Sequence, residues 1–310
     1  MTSASPDGGA LPWHSAACCL MVAGLRIAVE GEGLRSPLGV DPAAWDFVSD
    51  VPAGVDLSLT AATVEGIQAP AGPTLFASGE LWQVFEEDGG LGFYFRSGAT
   101  GDEPYAAACL ARDGRTGRIR LRDAVYPFTA PVYPLRYPLD ELLVTHLLPQ
   151  YDGVEVHACG LVTPGGRGLL FTGHSGAGKS TTARYWQCRS GVRVLSDDRI
   201  VLRREGNSVR MYGTPWHGDA GLSSPGSALL SAVYALRQGE AVRCIPQAQT
   251  EAVAGLFSFS FLPLYDRRAV ETALGVLQHA AERVPCQVLE FPDSPAVVRS
   301  ILAQLGEPMG

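Results

Sequence analysis

The chain has 310 residues, of which 46% are hydrophobic and 18% are charged, and its formal net charge is −8. This length and hydrophobic content suit one large or two ordinary folded domains and exclude a chain that is disordered throughout. The negative charge excludes a general affinity for nucleic acids or anionic membranes, so an anionic ligand has to be bound locally.

The cysteines follow no metal-binding spacing, and most of them lie in apolar runs, where cysteine behaves as a small hydrophobic residue. Their positions are 18, 19, 109, 159, 188, 244 and 286. No apolar stretch is long enough to span a bilayer as a helix. These features predict a reduced, soluble, cytoplasmic protein.

Residues 18–130 predict a β-rich region. Short apolar segments such as CLMVAGLRIAVEG alternate with turn signals, and the glycines of EEDGGLG and RDGRTGR suit tight hairpin turns. We find no phosphate-binding loop, nucleophile motif or metal-ligand set in this half. The sequence therefore predicts a β-rich N-terminal domain, residues 1–132, that is structural or presents a substrate, and a catalytic domain, residues 133–310.

The second half begins with a change of pattern. RYPLDELLVTHLLPQ predicts a helix that stops near Pro149. A strand over Val154–Val162, a tight turn, a strand over Leu169–Thr172 and a helix from Lys179 follow. GVRVLSDD predicts a strand that ends in two acids, and RIVLRREGNSVRMYG predicts a hairpin that turns at Gly206-Asn207. Farther along, ALLSAVYALRQ, RRAVETALGVLQHAAERV and SPAVVRSILAQL predict helices.

The loop Gly173–Ser180 matches G-x-x-x-x-G-K-[ST] at every fixed position and stands between a predicted strand and a predicted helix. Its glycines let backbone N–H groups turn toward phosphate oxygens, and the helix N-terminus adds partial positive charge. Lys179 is the only lysine among 24 basic residues. Its compact ammonium can reach the β- and γ-phosphates, whereas a planar guanidinium does not suit that path. The predicted ATP-phosphate contacts are Gly173, His174, Ser175, Gly176, Ala177, Gly178, Lys179, Ser180 and Thr181, with the Ser180 hydroxyl as a Mg²⁺ ligand.

Two acids, Asp197 and Asp198, end the strand after that helix. An apolar strand that ends in acid is typical of a Walker-B segment, which brings a carboxylate beside the phosphate loop. Neighbouring residues on a strand point in different directions. One acid is therefore expected to bind Mg²⁺ and the other to take the proton of an acceptor hydroxyl. His157 lies on the strand before the loop, where a lone histidine is ordinarily a core residue.

The run VEVHACGLVTPGGRGLLFTGHSGAGKST, followed by GVRVLSDD, resembles the catalytic domain of HPr kinase/phosphorylase over about residues 135–212. The resemblance implies a mixed α/β P-loop domain of the kind shared with phosphoenolpyruvate carboxykinase. It also implies that His157 and Asp197 handle the proton, and that Ser180 and Asp198 form the metal site.

The sequence departs from that family beyond the hairpin. YGTPWHGDAGLSSPG stands where true HPr kinases carry a Gly-rich segment. Within it, His217 and Asp219 are candidates for an acceptor or phosphate site, and a structured turn is the alternative. The departure also puts reverse phosphorolysis and HPr itself as a substrate in doubt.

The whole chain is similar to HPr-kinase-like proteins encoded beside ribosomal peptide clusters, including those of lasso peptides, some of which phosphorylate a serine of a precursor peptide. We therefore expect an ATP- and Mg²⁺-dependent kinase that acts on a serine or another hydroxyl of a peptide or protein. A small-molecule kinase on the same core and a non-catalytic nucleotide-binding switch stay open, as does homo-oligomer formation. Neither nucleic acid nor membrane is an expected partner.

Overall fold

The computed structural model describes residues 9–307 except 69, 80, 102 and 127. The chain divides into two compact units, Met1–Leu143 and Val144–Gly310. This division falls inside the helix α1, Leu139–Leu147, whereas the sequence suggested a boundary at residue 132. The division into a β-rich domain and a catalytic domain stays a prediction as far as the roles of the two parts are concerned.

The N-terminal unit is built from strands, as the sequence predicts. Its one helical segment before α1, among the described residues, is a 3₁₀ helix over Pro42–Phe47. The strands are β1 (Leu11–Pro12), β2 (Ala17–Val22), β3 (Leu25–Gly33), β4 (Gly39–Val40), β5 (Val48–Ser49), β6 (Leu57–Val64), β7 (Thr74–Ser78), β8 (Trp82–Glu87), β9 (Gly90–Phe95), β10 (Ala106–Leu110) and β11 (Thr116–Arg122).

Nine of these strands form one mixed sheet in the order β5-β2-β3-β6-β11-β10-β9-β8-β7, and β1 pairs with β4. The two predicted hairpins are confirmed: β8 pairs with β9 and β10 with β11, each pair antiparallel. The first hairpin turns at Asp88 and Gly89, whose φ angles are 49° and 76°. Positive φ at both central positions suits a tight two-residue turn and explains the glycine there.

The C-terminal unit mixes strands and helices, which confirms the expected α/β class. After α1 a 3₁₀ helix covers Leu148–Tyr151. The remaining elements are β12 (Gly153–Val162), β13 (Gly168–Thr172), α2 (Lys179–Gln187), β14 (Arg193–Ser196), β15 (Arg199–Glu205), β16 (Ser208–Gly213), β17 (Ser227–Gln238), β18 (Arg243–Pro246), α3 (Gln249–Ser258), β19 (Ser260–Phe261), α4 (Arg267–Arg283), β20 (Cys286–Phe291) and α5 (Ala296–Leu305).

The sheet of this unit runs β13-β12-β15-β16-β17-β20-β18, and β13 also pairs with β17 in parallel, so the pairings close into a ring. The long strand β12 pairs with four other strands, β13, β14, β15 and β19. Its first half, Gly153–His157, pairs with β15, and its second half, Ala158–Val162, pairs with β13. The strand that leads into the phosphate loop and the strand that follows the acid pair therefore both lie beside β12.

Alternation along the strands divides the core into two clusters. Leu170 packs in a cluster with residues of α3 and α4, while its neighbours Leu169 and Phe171 pack in a second cluster with residues of α2 and α5. Consecutive strand residues face opposite sides, so the sheet buries one apolar face against each helix pair. The helices predicted from RRAVETALGVLQHAAERV and SPAVVRSILAQL are confirmed as α4 and α5.

The segment ALLSAVYALRQ was predicted as a helix, and that prediction is wrong: it forms most of β17. Alanine and leucine favour helices only weakly, and tertiary pairing overrides such preferences. β17 pairs with β13, β16 and β20, and its buried positions alternate with less buried ones over its first half. The backbone groups of this segment are paired instead with the three neighbouring strands.

None of the helices in the described part of the chain combines the length and the apolar character needed to cross a bilayer.

Candidate functional site

The loop Gly173–Ser180, which matches the phosphate-binding motif in sequence, forms the connection between β13 and α2. Gly176 and Gly178 have φ angles of 80° and 102°, values that L side chains rarely adopt. A side chain at Gly178 would also stand 3.1 Å from the ring of Phe291. The loop therefore requires glycine at both positions, and its rim residues His174 and Ser175 are exposed. The strand–loop–helix arrangement suits binding of a phosphate group.

Lys179 opens α2, and its side chain turns back over the loop. The Nζ atom donates to the carbonyl oxygen of Gly173 at 2.8 Å and to that of His174 at 3.3 Å. Burial lowers the pKa of Lys179, although the charge of Asp198 acts in the opposite direction. The ammonium is thus held within the loop by backbone oxygens, where an incoming phosphate can replace them as partners.

Asp197 is buried, with 1% of its surface exposed. Its carboxylate accepts hydrogen bonds from the backbone N–H groups of Gly218 at 2.9 Å, Ala220 at 2.9 Å and Leu222 at 3.3 Å. The Ser180 hydroxyl donates to the same carboxylate at 3.3 Å. Four donors therefore occupy Asp197, three from one loop and one from the phosphate-loop serine.

Asp198 faces a different set of partners. Its Oδ1 atom lies 2.9 Å from Nε2 of His157, and a quarter of the Asp198 side chain (25%) is exposed. Burial alone would raise the pKa of Asp198, but the hydrogen bond from His157 and nearby positive charges more than offset it, so the pKa lies below its ordinary value. Asp198 is thus an ionised carboxylate that a molecule from solvent can reach.

The contacts differ from the pairing that the family resemblance implied, and the roles of the two acids stay predictions. His157 contacts Asp198, not Asp197, and Ser180 contacts Asp197, not Asp198. The physical reason is the direction of each side chain at the end of β14. The segment turns so that Asp197 points beneath the start of α2, while Asp198 points toward β12.

His217 and Asp219 lie in the loop that surrounds Asp197, and both are exposed. His217 Nδ1 is 3.2 Å from the carbonyl oxygen of Gly218, and the carbonyl of Asp219 accepts from Arg184 at 3.0 Å. The loop contributes its backbone to the site through Gly218 and Ala220. Within the part of the chain that the structure describes, neither predicted side chain forms a hydrogen bond or ion pair with Asp197 or Asp198, and their role stays a prediction.

Two site residues were missed by the sequence analysis. Arg199, directly after the acid pair, contacts Asp198 Oδ2 through Nη1 and lies with its Nε 3.5 Å from Glu155. Glu155 is two positions before His157 on β12, so the two share a face of that strand. Two sequence features could have indicated these residues. Arg199 directly follows the two acids, and Glu155 is an acid inside an otherwise apolar strand.

A magnesium ion is implied by the motif, and the residues present fit it in part. Mg²⁺ prefers oxygen ligands and usually keeps several waters beside one or two protein oxygens and substrate phosphates. Ser180 and Asp197 supply such oxygens next to the phosphate loop. Among the described residues no group of three His, Cys, Asp or Glu side chains comes together as a metal site.

Comparisons with known proteins leave the family open. No family model matches the chain, and no curated protein matches it. Among solved structures, the Hpr(Ser) kinase/phosphatase from Coxiella burnetii is similar, with 15% sequence identity and a TM-score of 0.29 over 49% of this chain and 92% of that chain. A likeness this distant carries no argument about activity, so the function has to be inferred from the site itself.

Proposed function

We propose that this protein is an ATP-dependent kinase that transfers the γ-phosphoryl group to a hydroxyl acceptor. The observation that carries the proposal is the separation of the two neighbouring acids. Asp197 is buried against Ser180 of the phosphate loop, while Asp198 is partly exposed against His157. A kinase needs one acid at the metal and another at the acceptor, and these surroundings suit those two roles.

The nucleotide side of the site uses Lys179, Ser180 and Asp197. A bound Mg²⁺ neutralises charge on the phosphates and orients them. Ser180 would hold the ion through its hydroxyl oxygen, because its hydrogen points to Asp197 and its lone pairs stay available. Asp197 already accepts three backbone N–H groups. We therefore assign it to orienting Ser180 and ordered water rather than to a dominant direct ligand.

The acceptor side uses Asp198 and His157. A hydroxyl near Asp198 can donate its hydrogen to the carboxylate while its oxygen attacks the γ-phosphorus. As the new P–O bond forms, the proton passes to the carboxylate, the bond from the γ-phosphorus to the β–γ bridging oxygen breaks, and ADP leaves with that electron pair. His157 holds the carboxylate by its Nε2 atom. The lowered pKa of Asp198 keeps it ionised at neutral pH, so it can accept a hydrogen bond from the acceptor hydroxyl.

We further propose a serine of a peptide or protein as the acceptor, with a lasso-type precursor peptide as the first candidate and the N-terminal unit as the part that presents it. The choice of acceptor rests on the similarity of the whole chain to HPr-kinase-like proteins encoded beside ribosomal peptide clusters. The role of the N-terminal unit rests on the lack of a phosphate-binding loop, nucleophile motif or metal-ligand set in the sequence of that half. A small-molecule acceptor and a nucleotide-binding switch remain the alternatives that the experiment has to separate.

The test is incubation of the full chain with Mg·ATP and a panel of serine-containing precursor peptides, followed by mass spectrometry for a gain of phosphate. The same panel with each serine replaced by alanine is the control. Phosphate on the serine peptides alone supports the proposal. Transfer to small hydroxyl compounds alone would favour the small-molecule kinase, and tight ATP binding without any transfer or ADP release would favour the switch.

A further inference from the structure

Glu155 is a carboxylate with no exposed surface. Its Oε2 atom accepts a hydrogen bond from Thr145 at 3.0 Å, and its Oε1 atom lies 3.5 Å from Nε of Arg199. Burial of a charged group is unfavourable unless a partner compensates it. Removing one partner of such a pair is costly, so Glu155 and Arg199 hold each other in place.

Arg199 is fixed by more than that ion pair. Its guanidinium lies 4.1 Å from the centre of the Phe261 ring, a distance that suits a cation–π contact. The Nη1 atom contacts Oδ2 of Asp198 and also lies 3.4 Å from the Asp198 backbone oxygen. One planar group therefore spans Glu155 on one side and Asp198 on the other, a geometry that a lysine cannot reproduce.

The sheet register explains why these residues meet. Arg199 on β15 stands directly opposite His157 on β12, and Phe261 on β19 stands opposite Glu155. Glu155 and His157 are two residues apart and so face the same side. The three strands thus bring an acid, a histidine, an arginine and an aromatic ring to one patch of the sheet, next to Asp198.

We propose that Arg199, anchored by Glu155, is a positioning residue that holds the Asp198 carboxylate against His157. Each carboxylate oxygen of Asp198 then has its own partner: His157 contacts Oδ1 and Arg199 contacts Oδ2. One contact would leave the carboxylate free to rotate about it, and two contacts fix the direction from which an acceptor can approach. This inference rests on the proposed function, because it assigns Asp198 a part in the chemical step.

The kinetic test compares Arg199→Gln and Glu155→Gln with the unchanged protein. Binding is measured with a fluorescent ATP analogue. Turnover is measured as the release of ADP with water as the acceptor. Both variants should bind Mg·ATP unchanged, because neither residue belongs to the phosphate loop. Turnover should fall by about 10²-fold, since a misplacement of about 1 Å can cost that much. Arg199→Lys should show the same loss of turnover as Arg199→Gln, because an ammonium group cannot contact both Glu155 and Asp198 as the guanidinium does.

The matched control is Arg203→Gln. Arg203 lies on the same strand, four residues farther, where its Nε donates to the backbone oxygen of Tyr151 at 3.2 Å and its guanidinium lies 5.2 Å from the Tyr151 ring centre. It should lose stability without losing turnover. An equal fall in turnover for Arg203→Gln and Arg199→Gln, or unchanged turnover in the latter, would overturn the inference.

A crystal structure of Arg199→Gln, or of Glu155→Gln if the first variant does not fold, provides a readout independent of activity. The expected result is an Asp198 side chain turned away from His157, and an unchanged hydrogen bond to His157 overturns the positioning role. If the wild-type protein binds Mg·ATP but neither releases ADP nor transfers phosphate to any acceptor, the proposed kinase is contradicted instead. The position of the Asp198 side chain in the variant crystal structure then tests this inference independently.

Discussion

Nε2 of His157 lies 2.9 Å from Oδ1 of Asp198, at the point where β12 passes the end of β14. The preceding residue, Asp197, faces the other way, toward Ser180 at the start of α2. Two identical side chains that are adjacent in sequence thus differ in burial, partners and access to solvent. This difference leads to the first prediction.

Asp198→Asn should bind Mg·ATP normally, while its turnover falls by about 10²–10⁴-fold, the usual worth of a general base. Asp197→Asn should instead weaken the magnesium dependence of ATP binding. It should also lower stability by about 1–3 kcal/mol, because an amide nitrogen cannot accept the N–H groups that now bond to the carboxylate. Titration of Mg²⁺ against ATP affinity, with thermal melts, measures both effects.

Two results would contradict the roles assigned here to Asp197 and Asp198. If raised Mg²⁺ rescues Asp198→Asn and not Asp197→Asn, the roles return to those that the family resemblance implied. Normal transfer by both variants would remove the acid pair from the mechanism.

Lys179→Ala and Lys179→Arg should both lose phosphoryl transfer and keep a melting temperature within a few degrees of the unchanged protein. The side chain is held by the carbonyl oxygens of Gly173 and His174, and a guanidinium differs in reach and shape at equal charge. Transfer and ATP affinity are the measurements. Near-normal activity of the arginine variant would contradict the role given to the lone lysine.

His146 should make the folded protein less stable in acid. Burial lowers the pKa of His146, and Asp266 only partly opposes this. The unfolded chain, with a histidine pKa of about 6.5, then binds a proton at a pH at which the folded chain does not. Stability falls as the pH drops below that unfolded value and stops falling below the lowered folded pKa.

The measurement is the melting temperature between about pH 7.5 and about pH 5.5. His146→Phe, which keeps a ring beside Tyr265, should show a shallower decline than the unchanged protein. Exchange of the exposed His14 for glutamine serves as the control for the loss of one histidine. Identical slopes for His146→Phe and the unchanged protein would show that His146 is not the source.

Three glycines give a test of the packing. Gly255 in α3 and Gly275 in α4 have open space around the position of a side chain, so alanine there should stabilise by about 0.4–1 kcal/mol. At Gly213 a Cβ atom would lie 2.1 Å from the backbone oxygen of Ser224. Gly213→Ala should destabilise by about 1–3 kcal/mol. Chemical denaturation measures all three, and a neutral Gly213→Ala would contradict the close approach of β16 to the loop at Ser224.

Local elements were the part of the fold that the sequence predicted well. The hairpin at Asp88-Gly89, the strand β12, the start of α2 at Lys179 and the hairpin at Gly206-Asn207 all lie at or within a residue of their predicted positions. Each is specified by residues close together in the chain: turn glycines, alternating apolar residues, or a fixed motif.

Interactions across the chain decided the rest. Residues 228–238 carry alanines and leucines that suit either a helix or a buried strand, and three neighbouring strands select the strand. The partners of Asp197 and Asp198 depend on where the loop at 217–222 and strand β12 come to lie, and neither position is encoded near the two acids. The same holds for Arg199, whose meeting with Glu155 follows from the pairing of β12 with β15.

The sequence by itself determined the phosphate loop, its single lysine and the presence of a nearby acid pair, because the geometry of that loop is set by its own glycines and the adjoining helix. Only the tertiary structure decided which acid contacts Ser180 and which contacts His157. It also decided that Arg199 contacts Asp198 and pairs with Glu155. The contacts with Ser180, His157 and Glu155 join residues that are 17, 41 and 44 positions apart. Their partners are chosen by sheet register and burial, which no local pattern contains.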